Sequence, residues 1–330
     1  MKNVSILVPE SAVMEAIADP RYIFTAANQF LQATGKPPLF QVQLVGQTRE
    51  VRQLDGLFSV HPDKLLDEVE QTDLIIIPAL FGDMKAAVEK NKAAIPWIIH
   101  HYQKGTEVAS LCVGAFLLAS TGLLNGQQCS THWAFANEFR SAFPEVELVD
   151  GSIITEASRL YSSGGANSYW NLLLYLVEKY TDRDTAILAA KYFAIDIDRS
   201  SQASFMMFQG QKDHNDEEIK QAQEFIETNY ANKLTVDQIA DEFAISRRSF
   251  ERRFKKSTNN TVVEYMQRVK VEAAKRSFEL SRKNINEVMF DVGYTDTKAF
   301  RTVFKRITGL TPIEYRNKYN KETGIKETIA

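Results

Sequence analysis

The chain has 330 residues, 44% of them hydrophobic and 25% charged, with a formal net charge of −3. That length has room for two or three domains with a sizeable core, and no apolar run reaches the roughly 18 residues that a membrane-spanning helix needs. Two cysteines, Cys112 and Cys129, cannot build a disulfide framework, so a reducing, cytoplasmic setting is expected. The charge is unevenly placed. Residues 233–320 hold 19 Lys and Arg against 11 Asp and Glu, a surplus of +8, which leaves −11 on the rest. A basic end on an acidic body points to a polyanion-binding module joined to something that does not bind polyanions. A basic helix can equally be a solvated surface, so charge alone does not decide.

The opening, "MKNVSILVPESAVME", reads as a first strand rather than a signal peptide. From there to about residue 190 the chain alternates apolar runs with amphipathic stretches. Strands are expected at residues 4–8, 40–45, 74–77, 107–111, 128–130, 153–155 and 160–162. Helices are expected at 23–34, 62–68, 84–90, 95–104, 115–121, 134–143 and 165–179. This alternation predicts a flavodoxin-like α/β sandwich around a mainly parallel sheet. "TDLIIIPAL" is apolar on both faces, as a central parallel strand should be. No Gly-rich phosphate loop and no His/Cys set at metal spacing occurs, so no nucleotide cofactor and no metal are expected.

The stretch "GTEVASLCVGAFLLASTG", residues 105–122, has the form of a nucleophile elbow, a strand turning sharply into a helix with Cys112 at the tip. A thiol so placed meets a helix N-terminus, which favours the thiolate. Gly82, Cys112, Val113 and His132 are the candidate lining of a pocket at the carboxyl ends of the strands. His132 can be a pocket residue or a hydrogen-bonded structural histidine beside Trp133.

Residues 196–216 lose the pattern and read as a polar linker around one apolar knot, Phe205 to Phe208. Everything from 217 to 320 is helical in period, followed by a tail, 321–330. This end contains a repeat. Phe250, Phe254 and Tyr265 recur fifty residues on as Phe300, Phe304 and Tyr315, while Ile239 and Ala244 match Val288 and Gly293 at one residue less. Two copies are too few for a solenoid. Each copy has a short helix, a turn and a capped second helix, which is the helix-turn-helix layout. Ser246 and Asp296 are the expected caps. The second helices bury their Phe pairs and carry Arg247, Arg248, Glu251 and Arg252 in one copy, and Thr297, Lys298, Arg301 and Thr302 in the other.

The run "INEVMFDVGYTDTKAFRTVFKRITGLTPIEYR" resembles the signature of the AraC/XylS family of transcription regulators: Ile285, Glu287 and Val288, then Gly293-Tyr294, Phe300-Arg301, Phe304-Lys305, Gly309, Thr311-Pro312 and Tyr315-Arg316. The resemblance covers about residues 217–320. It implies seven helices, a long one (262–280) joining two helix-turn-helix units, and both recognition helices in successive major grooves of double-stranded DNA, about 34 Å apart. Arg248, Glu251, Arg252, Thr297, Lys298 and Thr302 are then the base-reading candidates. Lys255, Lys256, Arg268, Lys305 and Arg306 are phosphate contacts or solvated charges.

Residues 3–195 resemble the ThiJ/PfpI superfamily, which has the fold of class I glutamine amidotransferases. The elbow run and "GLLNGQQCSTHWAFANEFRSAFPEV", with its Gly-Leu-Leu-x-Gly, Thr-His-Trp and Phe-Pro, carry the likeness. The combination is similar to GlxA-type regulators. Enzymes of the superfamily set an acid from the first-strand loop, and often a His directly after the cysteine, beside the thiol. Here Val113 follows Cys112, and the acid's place falls near Ala12, with Glu10 and Glu15 close in sequence. A thiol without a base is a poor nucleophile, so Cys112 is expected not to be catalytic and the chain not to be an enzyme. Two readings follow. One is a sequence-specific DNA-binding regulator whose first domain senses a small-molecule effector or forms a homodimer. The other is a cysteine-dependent hydrolase or amidotransferase with a DNA-targeting domain.

Overall fold

The computed structural model describes residues 1–197 and 201–320, so the expected 321–330 tail lies outside the described residues. The chain divides into two compact units between Gln202 and Ala203.

The first unit alternates strands and helices: β1 (Lys2–Val8), α1 (Met14–Ala33), β2 (Phe40–Gly46), β3 (Val51–Gln53), β4 (Phe58–Val60), β5 (Lys64–Leu65), β6 (Leu74–Ile77), α2 (Met84–Lys90), α3 (Ala94–Gln103), β7 (Glu107–Ser110), α4 (Ala115–Ala119), β8 (Gln128–Cys129), α5 (Ala136–Ala142), β9 (Glu147–Leu148), β10 (Ile154–Ala157), β11 (Leu160–Ser163), α6 (Tyr169–Tyr180) and α7 (Arg183–Tyr192). Seven strands form one sheet in the order β10-β11-β7-β6-β1-β2-β5. Its pairs are parallel except β10 with β11. Central β6 is buried along its whole length, as its all-apolar sequence requires.

One local expectation gives way. Residues 62–68 form the short edge strand β5 and a 3-10 turn, Leu66–Glu68, instead of a helix. Residues 44–46 supply the reason: Asp63 binds the Leu44 amide from its side chain at 2.7 Å and the Leu44 carbonyl from its own N–H at 2.9 Å, so the segment is taken up by the sheet edge. The β3–β4 hairpin and α7 lack the expected length or contrast of pattern and were not anticipated; α7 packs on α1 and α6.

The second unit holds seven helices: α8 (Glu217–Thr228), α9 (Val236–Glu242), α10 (Arg247–Thr258), α11 (Val262–Leu280), α12 (Ile285–Asp291), α13 (Thr297–Thr308) and α14 (Pro312–Tyr319). Two separate apolar cores form, one around Phe250, Phe254 and Tyr265, the other around Phe300, Phe304 and Tyr315. The repeat is reproduced to its hydrogen bonds. Thr258 and Thr308 each donate back to the Phe carbonyl one turn earlier, Thr261 and Thr311 each open a capping box, and Tyr265 and Tyr315 each donate to a carboxylate, Glu227 and Glu279, at 2.5 Å.

Candidate DNA-binding surface and elbow pocket

Each helix-turn-helix begins with a short helix held by its cap. Thr235 and Gln238 close a capping box on α9, and Asn284 and Glu287 close one on α12. The turns need left-handed backbone, at Ala244 (φ 51°) and Gly293 (φ 76°). At Gly293 a side chain is excluded, because a Cβ would lie 2.3 Å from the Ala231 carbonyl oxygen.

The two recognition helices differ at their starts. Asp296 accepts from the Lys298 and Ala299 amides at 2.7 and 3.0 Å and so fixes the first turn of α13. Ser246 occupies the N-cap position of α10 but makes no capping bond with its side chain, contrary to expectation. There α10 is held instead by Arg253, which binds Asp216 at the start of α8 at 2.9 and 2.5 Å and Glu218 at 2.5 Å. The sequence singled out neither Arg253 nor its partners; an arginine three residues beyond Phe250 on the inner side of a recognition helix was the available signal.

Phe250, Phe254, Phe300 and Phe304 are fully buried. The opposite faces expose Arg247, Arg248, Glu251 and Arg252 on α10, and Lys298, Arg301 and Thr302 on α13; Thr297 is half-buried. The exposed cations are not equivalent. Arg247 is engaged by Asp237 at 2.9 Å and Glu251 at 3.4 Å, both of which raise its pKa. Among the described residues, Arg248, Arg252, Lys298 and Arg301 have no carboxylate partner. Exposed Thr302 donates its hydroxyl back to the Lys298 carbonyl at 2.8 Å. Of the flanking cations, half-buried Arg268 lies over the Phe208 ring (5.7 Å), and exposed Arg306 donates to Gln267 Oε1 at 2.5 Å.

The elbow in the first unit is formed as expected. Leu111 is extended, Cys112 has φ 55°, and a 3-10 turn (Cys112–Gly114) leads into α4. Gly114 lets the turn sit under the end of β6: a Cβ there would be 2.5 Å from the Pro78 carbonyl oxygen. The Cys112 N–H donates to Ser163 Oγ at 3.1 Å, and its carbonyl accepts from Thr131 Oγ1 at 3.2 Å. The thiol itself is buried. Burial pushes it up to about 12, against a weaker opposing effect of the Val113 N–H. Helix α4 has only five residues, and its dipole does not overcome that burial.

The other candidates divide around this point. Val113 is buried beside Cys112 in the core. Gly82 (φ 88°) is an exposed turn residue leading to Asp83, the cap of α2. His132 is half-buried, accepts from the Ala134 amide at 3.1 Å on Nδ1 and packs against Trp133 and Phe135, and desolvation lowers its pKa. Ala12 is buried and its N–H bonds Gln53, while Glu10 and Glu15 are exposed. Among the described residues no carboxylate hydrogen-bonds the thiol. The carboxylate the sequence did not single out is Asp19, which accepts from Tyr169 at 2.6 Å. Its pKa is raised, chiefly by burial. Among the described residues, two buried polar atoms at this edge of the sheet have no hydrogen-bond partner, Ser168 Oγ and Gln202 Oε1. Both lie close to Gly165, where a Cβ would be 2.6 Å from Ser168 Oγ and 3.4 Å from Gln202 Oε1, and Gln202 donates from Nε2 to the carbonyls of Thr131 and Ser152 at 3.1 Å each.

Residues 23–179 match the DJ-1/PfpI family and residues 239–318 match a helix-turn-helix domain. The HTH-type transcriptional regulator GbdR of Pseudomonas aeruginosa is 23% identical over 269 residues, 81% of this chain and 72% of that protein. The HTH-type transcriptional regulator ArgR of the same organism is 24% identical over 228 residues, 69% of each chain. A solved AraC family transcriptional regulator from Pseudomonas putida shares the fold of 58% of this chain and 100% of its own, with a TM-score of 0.50 and 17% identity. The chain therefore joins a domain similar to the DJ-1/PfpI family to a C-terminal helix-turn-helix domain.

Proposed function

We propose that this two-domain chain is a sequence-specific DNA-binding transcription regulator, with the helical domain reading double-stranded DNA and the DJ-1/PfpI domain serving as a sensor or a dimerisation module. The observation that carries the reading is the pair of recognition helices. Each is fixed on one side by two fully buried phenylalanines and presents unpaired cations on the other. That is the surface a major groove accepts: guanidinium and ammonium groups for phosphates and guanine, a threonine methyl for thymine. Arg248, Arg252, Lys298 and Thr302 are its reading residues. The regulators similar to this chain along most of their length support the same conclusion.

The first domain acts without catalysis. A thiol raised to about 12 by burial is neutral at physiological pH, and among the described residues no side-chain base hydrogen-bonds it. A small-molecule effector at the elbow edge and homodimerisation through this domain both fit its role, and the cytoplasm is its setting. The unpartnered Ser168 Oγ and Gln202 Oε1 support sensing, since a donor group of a small ligand would satisfy both.

The test is the salt dependence and sequence preference of the full chain on duplexes selected from a random library. Neutralising six to ten phosphates costs about 10³–10⁵ in affinity between roughly 50 and 200 mM salt. Affinity unchanged over that range, or no enriched sequence, refutes the reading. Hydrolysis of an amide that is lost in Cys112→Ala refutes the non-catalytic assignment.

A further inference from the structure

The polar segment that follows Gln202 lies along the helical domain, and its contacts run from one helix-turn-helix unit to the other. Ala203–Phe205 packs on α13 of the second unit. Tyr319 donates to the Ser204 carbonyl at 3.0 Å, and Lys318 lies over the Phe205 ring at 4.5 Å. The chain then crosses the joining helix α11. Lys275, almost fully buried, donates to the Met206 carbonyl at 2.5 Å and to Glu272 at 2.8 Å, and Glu272 accepts the Phe208 N–H at 3.0 Å. Beyond that the segment reaches the first helix-turn-helix. Phe208 stands edge-on to Tyr265, 5.1 Å between centroids. Gly210 lies so close to Tyr265 that a Cβ would be 1.9 Å from its hydroxyl oxygen. The Gln211 carbonyl accepts from Gln223 at 2.8 Å, and Lys212 pairs with Glu227 at 2.8 Å.

We propose that residues 203–212 are a strap that fixes the spacing of the two recognition helices, so that both reach DNA together only while the strap is seated. The inference rests on the two-unit DNA reading. The two units have separate cores and share α11 as their covalent link. A 19-residue helix is a rod of about 28 Å that can flex. Other ties between the units are the packing of Tyr230 against the second core, the close approach of the Gly293 turn to the Ala231 carbonyl, and the bonds of Lys270 Nζ to the carbonyls of Asn232 and Gly293, long at 3.4 Å each. The strap, in contrast, completes a buried Lys275–Glu272 pair with short bonds from its own backbone. A buried pair needs such further bonds to be tolerated. Lifting the strap removes them and leaves the units held by α11, the packing of Tyr230 and Gly293, and the Lys270 contacts.

The consequence is one of avidity. Two modules held at the spacing of their half-sites bind far better than either alone, by about 10²–10⁴, and lose this when the geometry is relaxed. The test uses the full chain with Phe208→Ala, Gly210→Val and the double variant. Binding is measured on a duplex selected by the wild-type chain and on the same duplex with one half-site scrambled, and amide exchange is followed over residues 203–212. The expected result is fast exchange of the strap, at least about tenfold weaker binding to the complete site, and binding to the scrambled site within about twofold of wild type. Equal losses on both duplexes overturn the proposal, because the variants would then act through the fold of a unit. Wild-type binding to the complete site with a fast-exchanging strap overturns it, as does a strap still protected in the double variant. Failure of the wild-type chain to prefer any duplex would count against the DNA reading itself, while the exchange measurement would still report whether Phe208 and Gly210 seat the strap.

Discussion

Arg247 and Asp237 form a two-pronged ion pair, Nη1 lying 2.9 Å from one carboxylate oxygen and 3.2 Å from the other. The pair joins the first turn of α10 to α9, and Glu251 holds the same guanidinium from below. An arginine committed in this way gives up a partner if it turns to a base. Arg252, one turn on and exposed, gives up none. Arg252→Ala should therefore lose about 1–3 kcal/mol of discrimination at one base position, whereas Arg247→Ala should leave the preferred sequence unchanged. Binding-site selection on both variants checks this; the reverse ranking would mean that Arg247 leaves Asp237 on binding DNA.

The second recognition helix allows the same comparison with less ambiguity. Lys298 stands exposed in the first turn of α13, its backbone N–H held by Asp296. Lys298→Ala should relax preference at one position at a cost of about 1–3 kcal/mol. Lys283 lies between α11 and α12, outside both recognition helices. The structure pairs it with Asp291 at 2.8 Å, which raises its pKa. Lys283→Ala should then change affinity for specific and non-specific duplexes by little, and leave the salt slope as in wild type. A slope reduced by about one would put this lysine on a phosphate after all.

Much of the helical domain was legible because its period and its punctuation agree. Residues 262–280 were expected as the joining helix and form it, since Thr261 and Glu264 cap one end and the apolar spacing is unbroken. Phe250, Phe254, Phe300 and Phe304 could be assigned inward from i,i+4 spacing alone. What escaped depends on partners distant in sequence. The Arg253 link to Asp216 spans 37 residues, the Lys275 bond to Met206 spans 69, and the Tyr169 bond to Asp19 spans 150. No local pattern encodes such pairs. Residues 62–68 misled for a related reason, as the sheet edge captured a segment whose own preference was helical. At the elbow the form was readable and the ionisation was not, because the spacing of residues says nothing of how deeply the sulfur is buried.

That burial has a measurable sign. The Cys112 and Cys129 thiols are both pushed up to about 12, chiefly by desolvation. An unfolded chain ionises its thiols near 8.5, so above that pH the unfolded state binds fewer protons than the folded one. Stability should therefore fall as pH rises from about 9 to 12, and Cys112→Ala with Cys129→Ala should flatten that part of the profile. At neutral pH an alkylating reagent should modify neither thiol until the chain is denatured. Fast modification of native Cys112 at pH 7.5 would show a thiolate that this buried setting does not favour.

Acid should weaken the first domain from the other side. Desolvation lowers the pKa of both His132 and His101, with the charges of His100 and Lys104 adding to the effect on His101. A histidine depressed in the folded state takes up its proton in the unfolded state first, near 6.5, so stability is lost as pH falls below that value. The melting temperature of the wild-type chain should drop between about pH 6.5 and 5, and His132→Gln should reduce the drop. A profile that His132→Gln leaves unchanged would assign the loss to other groups.

The duplicated cores permit the sharpest comparison of structure with function. Phe254 and Phe304 occupy the same place in the two repeats, each fully buried, and each packs edge-on against the tyrosine that closes its unit, Tyr265 at 5.2 Å and Tyr315 at 5.5 Å. Truncating either leaves a cavity that its neighbours cannot fill, a loss of roughly 3–5 kcal/mol. For a domain of about 100 residues that lowers the melting point by more than 10 °C. The two variants should then part company on DNA. Phe304→Ala loosens the unit whose helix is fixed by Asp296, so preference over that half-site is lost while the other half-site still selects its sequence. Phe254→Ala does the reverse. Both are read by thermal melts and by site selection below the lowered melting point. Should Phe254→Ala erase preference across the whole site at a temperature where its helix content is intact, the two units would be a single cooperative reader, and their separate cores would not mark separate functions.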